Sequence, residues 1–158
     1  MWKAGGCRRY VRDHIPPTTV PGILDRVSTS PDDATAGLLR TLVDTMDGPV
    51  VDREGWESFA LILEFPDGAF NEAHGYVYSP DGVISAVACD PWLVAPAVKA
   101  YTDGCYPVGD ALPRKILVQF DRATGRYMTT FEETDEARWK ATPRTFRELR
   151  EELRPTFD

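Results

Sequence analysis

The sequence has few of the side chains on which common active sites depend. It contains two histidines, His14 and His74, and three cysteines, Cys7, Cys89 and Cys105. It has no glycine-rich phosphate loop after a strand, no nucleophile elbow and no paired-histidine zinc motif. We therefore expect a protein that is not an enzyme, with no catalytic residue, no metal site and no cofactor.

The sequence also shows no disulfide framework and no membrane span. An odd number of cysteines favours a reducing compartment, so the sequence predicts a cytoplasmic protein. No apolar run approaches the roughly 20 residues of a membrane span, and the basic start lacks the apolar segment of a secretory signal. With 158 residues, 42% of them hydrophobic, the chain has the size and composition of one soluble domain.

Basic residues are nearly absent between Arg40 and Lys99. Arg53 is the one base in this stretch, which holds ten acids and a net charge of −9, against −7 for the whole chain. Such a field repels nucleic acid and anionic membranes and attracts basic protein surfaces. The alternative is that the acidity serves solubility alone. The ten acids are Asp44, Asp47, Asp52, Glu54, Glu57, Glu64, Asp67, Glu72, Asp81 and Asp90.

The first 21 residues differ from the rest in charge and proline content. Proline resists regular structure, so we expect residues 1–21 to form an extended basic arm, either flexible or used in recognition, and residues 22–158 to form a single domain. The bases and prolines of the arm are Lys3, Arg8, Arg9, Arg12, Pro16, Pro17 and Pro21.

Hydrophobic periodicity predicts five strands and three helices. Short turns join successive strands, which favours antiparallel pairing. The sequence thus predicts an α+β domain, with an antiparallel sheet of about five strands and helices packed on one face. The predicted strands are 56–65, 70–78, 83–88, 112–120 and 126–131, and the helices begin at Pro31, at Pro91 (shortened or bent by Pro96) and at Pro143.

His74 is the main candidate for chemistry. It lies in a predicted strand with Glu72 and Tyr76 on the same side. A catalytic pair with Cys89 is one hypothesis, and a half-buried histidine with a structural hydrogen bond is the interpretation we favour. Cys89 and Cys105 are too far apart in sequence for the close-paired spacing of structural zinc sites.

The acids are placed where recognition residues often lie. Loops and hairpin tips carry binding functions more often than core elements do, and several acids precede a strand or occupy a turn. We therefore predict that the partner-binding residues are Asp47, Asp52, Glu54, Asp67, Glu72 and Asp81.

From Trp56 onward the chain resembles the YezG-like antitoxin and immunity proteins of bacterial polymorphic toxin systems. The resemblance rests on Trp56 at the first strand, the aromatic hairpin 76–78 with Asp81-Gly82, a central helix, the hairpin 119–127, and Trp139 with Pro143. It implies a small cytoplasmic protein that binds a cognate secreted toxin domain and blocks its active site. Related toxins are nucleases or NAD⁺ glycohydrolases, as in the tuberculosis necrotizing toxin and its immunity factor.

We therefore expect an immunity protein whose partner is a toxin domain with a basic cleft, with no nucleic acid and no membrane as partners. Two alternatives stay open. One is a small enzyme that uses His74 with Cys89 or a nearby carboxylate, and the other is a secretion adaptor or chaperone.

Overall fold

A computed structural model describes residues 10–12, 31–48, 55–107 and 109–156. One antiparallel sheet contains all seven strands of these residues, in the order β1-β7-β6-β3-β4-β5-β2. The strands are β1 (Tyr10–Arg12), β2 (Met46–Asp47), β3 (Ser58–Glu64), β4 (Glu72–Tyr78), β5 (Ile84–Cys89), β6 (Lys115–Asp121) and β7 (Tyr127–Glu132). The helices are α1 (Pro31–Thr45), α2 (Pro91–Cys105) and α3 (Phe146–Glu152).

The predicted fold class is confirmed: the protein is a single α+β domain. The five predicted strands correspond to the five long strands, β3 to β7. The sequence did not predict β2, nor that residues 10–12 of the arm form β1, which pairs with β7. The remainder of the predicted arm lies outside the described residues, as do Asp52, Glu54 and His14.

The boundaries of two helices differ from the predicted ones. The helix α2 continues through Pro96 to Cys105, because its buried face, which includes Val94 and Val98, packs into the core on both sides of the proline. The helix α3 begins at Phe146 and not at Pro143. Thr142 and Thr145 precede it. The hydroxyl of each accepts a hydrogen bond from the backbone N–H of the other, and these two bonds hold a turn before the helix.

Helices cover both faces of the sheet, so the expectation that all of them pack on one face is wrong for α3. On β3, Phe59, Leu61 and Leu63 join the larger core with α1 and α2. The alternate residues Ala60 and Ile62 point the other way and pack with the α3 segment. Because this central strand is apolar on both sides, both sides need cover. We call them the α1–α2 face and the α3 face.

The cysteines also differ from expectation. Cys105 is disulfide-bonded, so the argument from an odd cysteine count does not establish a reducing compartment. Cys89 is a free and buried thiol that donates a hydrogen bond to the carbonyl oxygen of Leu42 (3.7 Å). Within the described ranges, no helix is long and apolar enough to cross a membrane.

One glycine is required by the close approach of two strands. Gly75 lies in β4 opposite Leu61 of β3 and Val87 of β5. A β-carbon there would overlap the backbone carbonyl oxygen of Ala60 and lie 2.9 Å from the α-carbon of Leu61. Backbone atoms in the middle of a sheet cannot move aside for a methyl group.

We expect Gly75→Ala to lower the free energy of unfolding by about 3 kcal/mol or more, since overpacking a core costs about 1–3 kcal/mol and here backbone must shift. The matched control is Gly37→Ala in α1, where a β-carbon meets no atom within 4 Å. That change should stabilise by about 0.5–1 kcal/mol. Denaturant unfolding of both variants measures the difference, and equal stabilities would contradict the packing argument.

Candidate functional site

A row of charged residues crosses one end of the sheet. Glu72 of β4, Glu64 of β3, Lys115 of β6 and Glu132 of β7 lie opposite one another in register. They share the α3 face, since Glu64 is two residues after Ile62. This end is where β3, β5 and β7 finish and where β4 and β6 begin. We call these four residues the charged row.

His74 joins the charged row from the next position along β4. Its Nε2 lies 2.5 Å from Oε2 of Glu64 and 3.8 Å from Oε2 of Glu72. The two glutamates are directly opposed across β3 and β4, and opposed like charges repel, so the imidazole between them offsets an unfavourable pair. The side chain of His74 is about one-third exposed (37%), which agrees with the half-buried, hydrogen-bonded histidine that the sequence favoured.

The same three side chains can accept two kinds of chemistry. An imidazole paired with a carboxylate can take up and release a proton. One nitrogen and two carboxylate oxygens, all within 4.8 Å of one another, are also ligand types that a divalent metal ion uses. Alternation in the sequence predicts that Glu72 and His74 lie together, but Glu64 was not predicted to join them, because only the register between β3 and β4 brings it beside them.

The proposed catalytic pair of His74 and Cys89 is wrong. His74 is opposite Ala88 in β5, and Cys89 is opposite Ala73. Alternation therefore places the imidazole on the α3 face and the thiol on the α1–α2 face, where Cys89 belongs to the larger core. Burial raises the pKa of the Cys89 thiol, which disfavours the reactive thiolate.

The predicted partner-binding acids do not form one patch. Asp47, Asp67 and Glu72 lie at the same end of the sheet as the charged row. Asp81 lies in the β4–β5 turn at the other end, about 20 Å away for a seven-residue strand. There its carboxylate accepts a hydrogen bond from the backbone N–H of Val83 (3.1 Å), so it shapes the turn.

The most exposed large apolar side chain among the described residues is Trp92, which was not predicted from the sequence as a binding residue. Trp92 is 87% exposed and its neighbour Leu93 is 61% exposed. Asp90 caps this first turn of α2 by accepting a hydrogen bond from the N–H of Trp92 (2.9 Å). The buried residues of α2 recur from Val94 at helical spacing, and Trp92 and Leu93 fall outside that stripe.

Exposed acids lie on the elements that meet where α2 begins. Asp47 lies in β2 on one side of β5, and Glu72 begins β4 on the other side. Asp44 is in the last turn of α1, the helix whose Leu42 carbonyl contacts Cys89. Among the described residues, none of these acids forms an ion pair with a lysine or arginine. Asp47 and Glu72 lie on the α3 face, whereas α1 and α2 cover the other face, so these residues surround one end of the sheet from both faces. We call Asp44, Asp47, Glu72, Asp90, Trp92 and Leu93 the acidic corner.

The other end of the charged row is tied by hydrogen bonds. One carboxylate oxygen of Glu132 accepts from the backbone N–H of Asp135 (3.0 Å) and of Thr134 (3.1 Å), and the other accepts from Arg138 (2.9 Å). These bonds, the one from Asp135 first, lower the pKa of Glu132 to about 2. The carboxylate thus stays ionised and fixed over the whole physiological range.

No protein-family model, no curated protein and no solved structure matches the chain. The protein is therefore described by its own structure. It has an antiparallel sheet covered by helices on both faces, an acidic corner at one end of that sheet, and a histidine beside this corner that lies between two glutamates.

The Glu132 carboxylate generates a pH prediction. Because its pKa in the folded protein is below the usual 4.5, its stabilising effect is complete above pH 4.5 and is lost as the pH falls towards 2. We expect Glu132→Gln to lower the free energy of unfolding at pH 7 by about 1–2 kcal/mol and to flatten the loss of stability between pH 4.5 and 2. Urea unfolding at several pH values measures both, with the exposed Glu148→Gln as the control that should match the unmodified protein.

Proposed function

We propose that the protein is an immunity protein, an antitoxin that binds a cognate secreted bacterial toxin domain and occludes its active site. The observation that carries the proposal is an almost fully exposed tryptophan, Trp92, at a corner whose acids make no ion pair with the described lysines and arginines. The resemblance of the C-terminal half to YezG-like antitoxins supports the same conclusion.

The chemistry of the acidic corner suits a basic active-site cleft. A nuclease or an NAD⁺ glycohydrolase binds phosphate groups, so its cleft must present positive charge. Acids such as Asp44 and Asp47 would steer the inhibitor to that cleft and raise the association rate by about 10- to 1,000-fold. Tryptophan is among the residues that dominate the binding energy of interfaces, and Trp92 with Leu93 offers an exposed apolar anchor at the same end of the sheet as these acids.

Three of the predicted acids lie at the end of the sheet that we propose contacts the toxin. Asp47 and Glu72 belong to the acidic corner, and Asp67 lies at the same end of the sheet. Asp81 lies at the far end and has no part in this surface. Asp52 and Glu54 remain predicted contacts, since they follow β2 in the sequence.

The pair of His74 with Glu64 supports a second candidate, a small enzyme that uses the imidazole as a general base. Such a base needs a partner carboxylate that orients the ring, and the 2.5 Å contact supplies one. The two candidates differ in what they require, because an inhibitor that blocks a cleft needs no proton transfer of its own.

Co-expression with the C-terminal domain of any large secreted protein whose gene adjoins the gene of this chain tests the function. We expect growth to be rescued from that domain's toxicity, and the two chains to purify as a stable complex. His74→Ala should keep the rescue if the protein acts by occlusion. Absence of rescue and of a complex would refute the immunity proposal, and loss of rescue in a folded His74→Ala variant would favour the enzyme.

Trp92→Ala should weaken the complex by about 30-fold, the effect of losing a hot spot of about 2 kcal/mol. The double change Asp44→Lys with Asp47→Lys should slow association, more at low salt than at high salt. Stopped-flow or surface-plasmon kinetics would measure both rates.

Two control changes lie at the opposite end of the sheet. Val83→Ala removes an exposed apolar side chain, and Asp81→Lys reverses a charge there. Neither should alter the affinity or the association rate. If these controls were as damaging as the changes at the acidic corner, the assignment of the surface would be wrong.

A further inference from the structure

The end of the sheet that carries the charged row also has a cavity of about 290 Å³. The cavity lies on the β6 side of β3, whereas the acidic corner lies on the β4 side. The cavity itself lies where β3 ends and β6 begins. Its charged lining residues are Glu64, Arg114, Lys115, Glu136 and Lys140. Because a water molecule occupies about 30 Å³ in the liquid, this space can hold a small organic molecule.

The acids that line the cavity are already engaged. Arg114 donates to Glu136 (2.7 Å), and Glu64 is held by His74 (2.5 Å). The two lysines that line the cavity, Lys115 and Lys140, form no ion pair with any carboxylate of the described residues. Three basic and two acidic side chains line the cavity, so its formal charge is positive.

Lys115 is the unusual member of this set. It is only 5% exposed, and its ammonium donates to the backbone carbonyl of Arg138 (2.8 Å). An ammonium has three donors, and a buried charge is costly unless a charged partner accompanies it. A neutral carbonyl satisfies one donor and leaves the charge without a counter-ion.

The neighbours of Lys115 in the sheet do not supply that counter-ion. Its two cross-strand partners are both glutamates, Glu64 on β3 and Glu132 on β7. Glu64 is turned to His74, and Glu132 is fixed by Arg138 and by backbone N–H groups. A lysine between two glutamates thus forms an ion pair with neither of them.

We propose that this cavity binds a small oxyanion, a carboxylate or phosphate group carried on a small molecule. The anion accepts hydrogen bonds from the free donors of the Lys115 ammonium, and Lys140 at the mouth adds a second positive charge. Charge-assisted bonds of this kind are stronger than neutral ones. The site does not depend on the proposed toxin partner, because it lies on the other side of Glu64 from the acidic corner.

The experiment titrates the full chain with inorganic phosphate and, separately, with sodium acetate, at constant ionic strength set with chloride. We expect saturable changes in the amide NMR signals of residues 114–116 and 138–140. Tighter binding of phosphate assigns the site to phosphorylated ligands, and tighter binding of acetate assigns it to carboxylates. Linear changes that spread over all lysines, without saturation, would overturn the proposal.

Variants connect the binding to the buried ammonium. Lys115→Met keeps the length of the side chain and removes its charge, and should weaken anion binding at least about 10-fold, the equivalent of one charge-assisted hydrogen bond. Lys99→Met is the matched control, since Lys99 is exposed on α2 and paired with Asp103 (2.9 Å). It should bind as the unmodified protein does.

A second variant keeps the test decisive if Lys115→Met fails to fold. Lys140 is exposed, so Lys140→Met should leave folding intact and weaken anion binding about threefold or more, as expected for the loss of a nearby charge in a partly solvated site. Unchanged affinity in Lys140→Met, or in a folded Lys115→Met, would overturn the proposal.

Discussion

The strand β3 imposes the constraint on which the rest of the structure depends. It lies at the centre of the sheet, between β4 and β6, and its side chains are apolar on both faces from Phe59 to Leu63. Burying both faces of one strand requires a layer on each side, so α1 and α2 cover one face and the short α3 segment covers the other. Seven residues of helix cannot cover a whole sheet face. The charged row therefore occupies the end of that face, where Glu72 is exposed to solvent while Lys115 is buried.

Charge is sorted along this end by the strand order. On the side of β4, β5 and β2, the exposed acids of the described residues form no ion pair with a lysine or arginine, and Trp92 is exposed at the same end of the sheet. On the side of β6 and β7, arginines form ion pairs with glutamates, and the buried Lys115 forms an ion pair with no carboxylate of the described residues. His74 and Glu64 lie between the two regions. One end of the sheet thus carries both an acidic surface that suits a basic protein and a cavity that suits a small anion.

Hydrophobic periodicity predicted most of the strands and helices. Two further features that were not predicted could also have been derived from the sequence. Alternation correctly placed Glu72, His74 and Tyr76 on one side of a strand. In an antiparallel meander successive turns fall at opposite ends, so the turns of Asp67 and Asp81 could have been assigned to opposite ends of the sheet from the strand order alone. The stripe that begins at Val94 likewise leaves Trp92 outside it.

The pairing of β3 with β6 could not be predicted, because no local pattern encodes the register of strands that are distant in sequence. The position of Lys115 between two glutamates depends on that register. The position of Glu64 beside His74 depends on the register of β3 with β4.

The pairing of β3 with β6 also bears on how the chain reaches its native state. Leu61 lies opposite Val118, so the two halves of the sheet meet only after the loop that contains β4, β5 and α2 has closed. Closing so long a loop costs entropy before any contact rewards it, and folds dominated by such distant contacts form slowly. During synthesis, one hydrogen-bonding edge of β3 stays unpaired until β6 emerges, and unpaired strand edges are prone to associate with other chains.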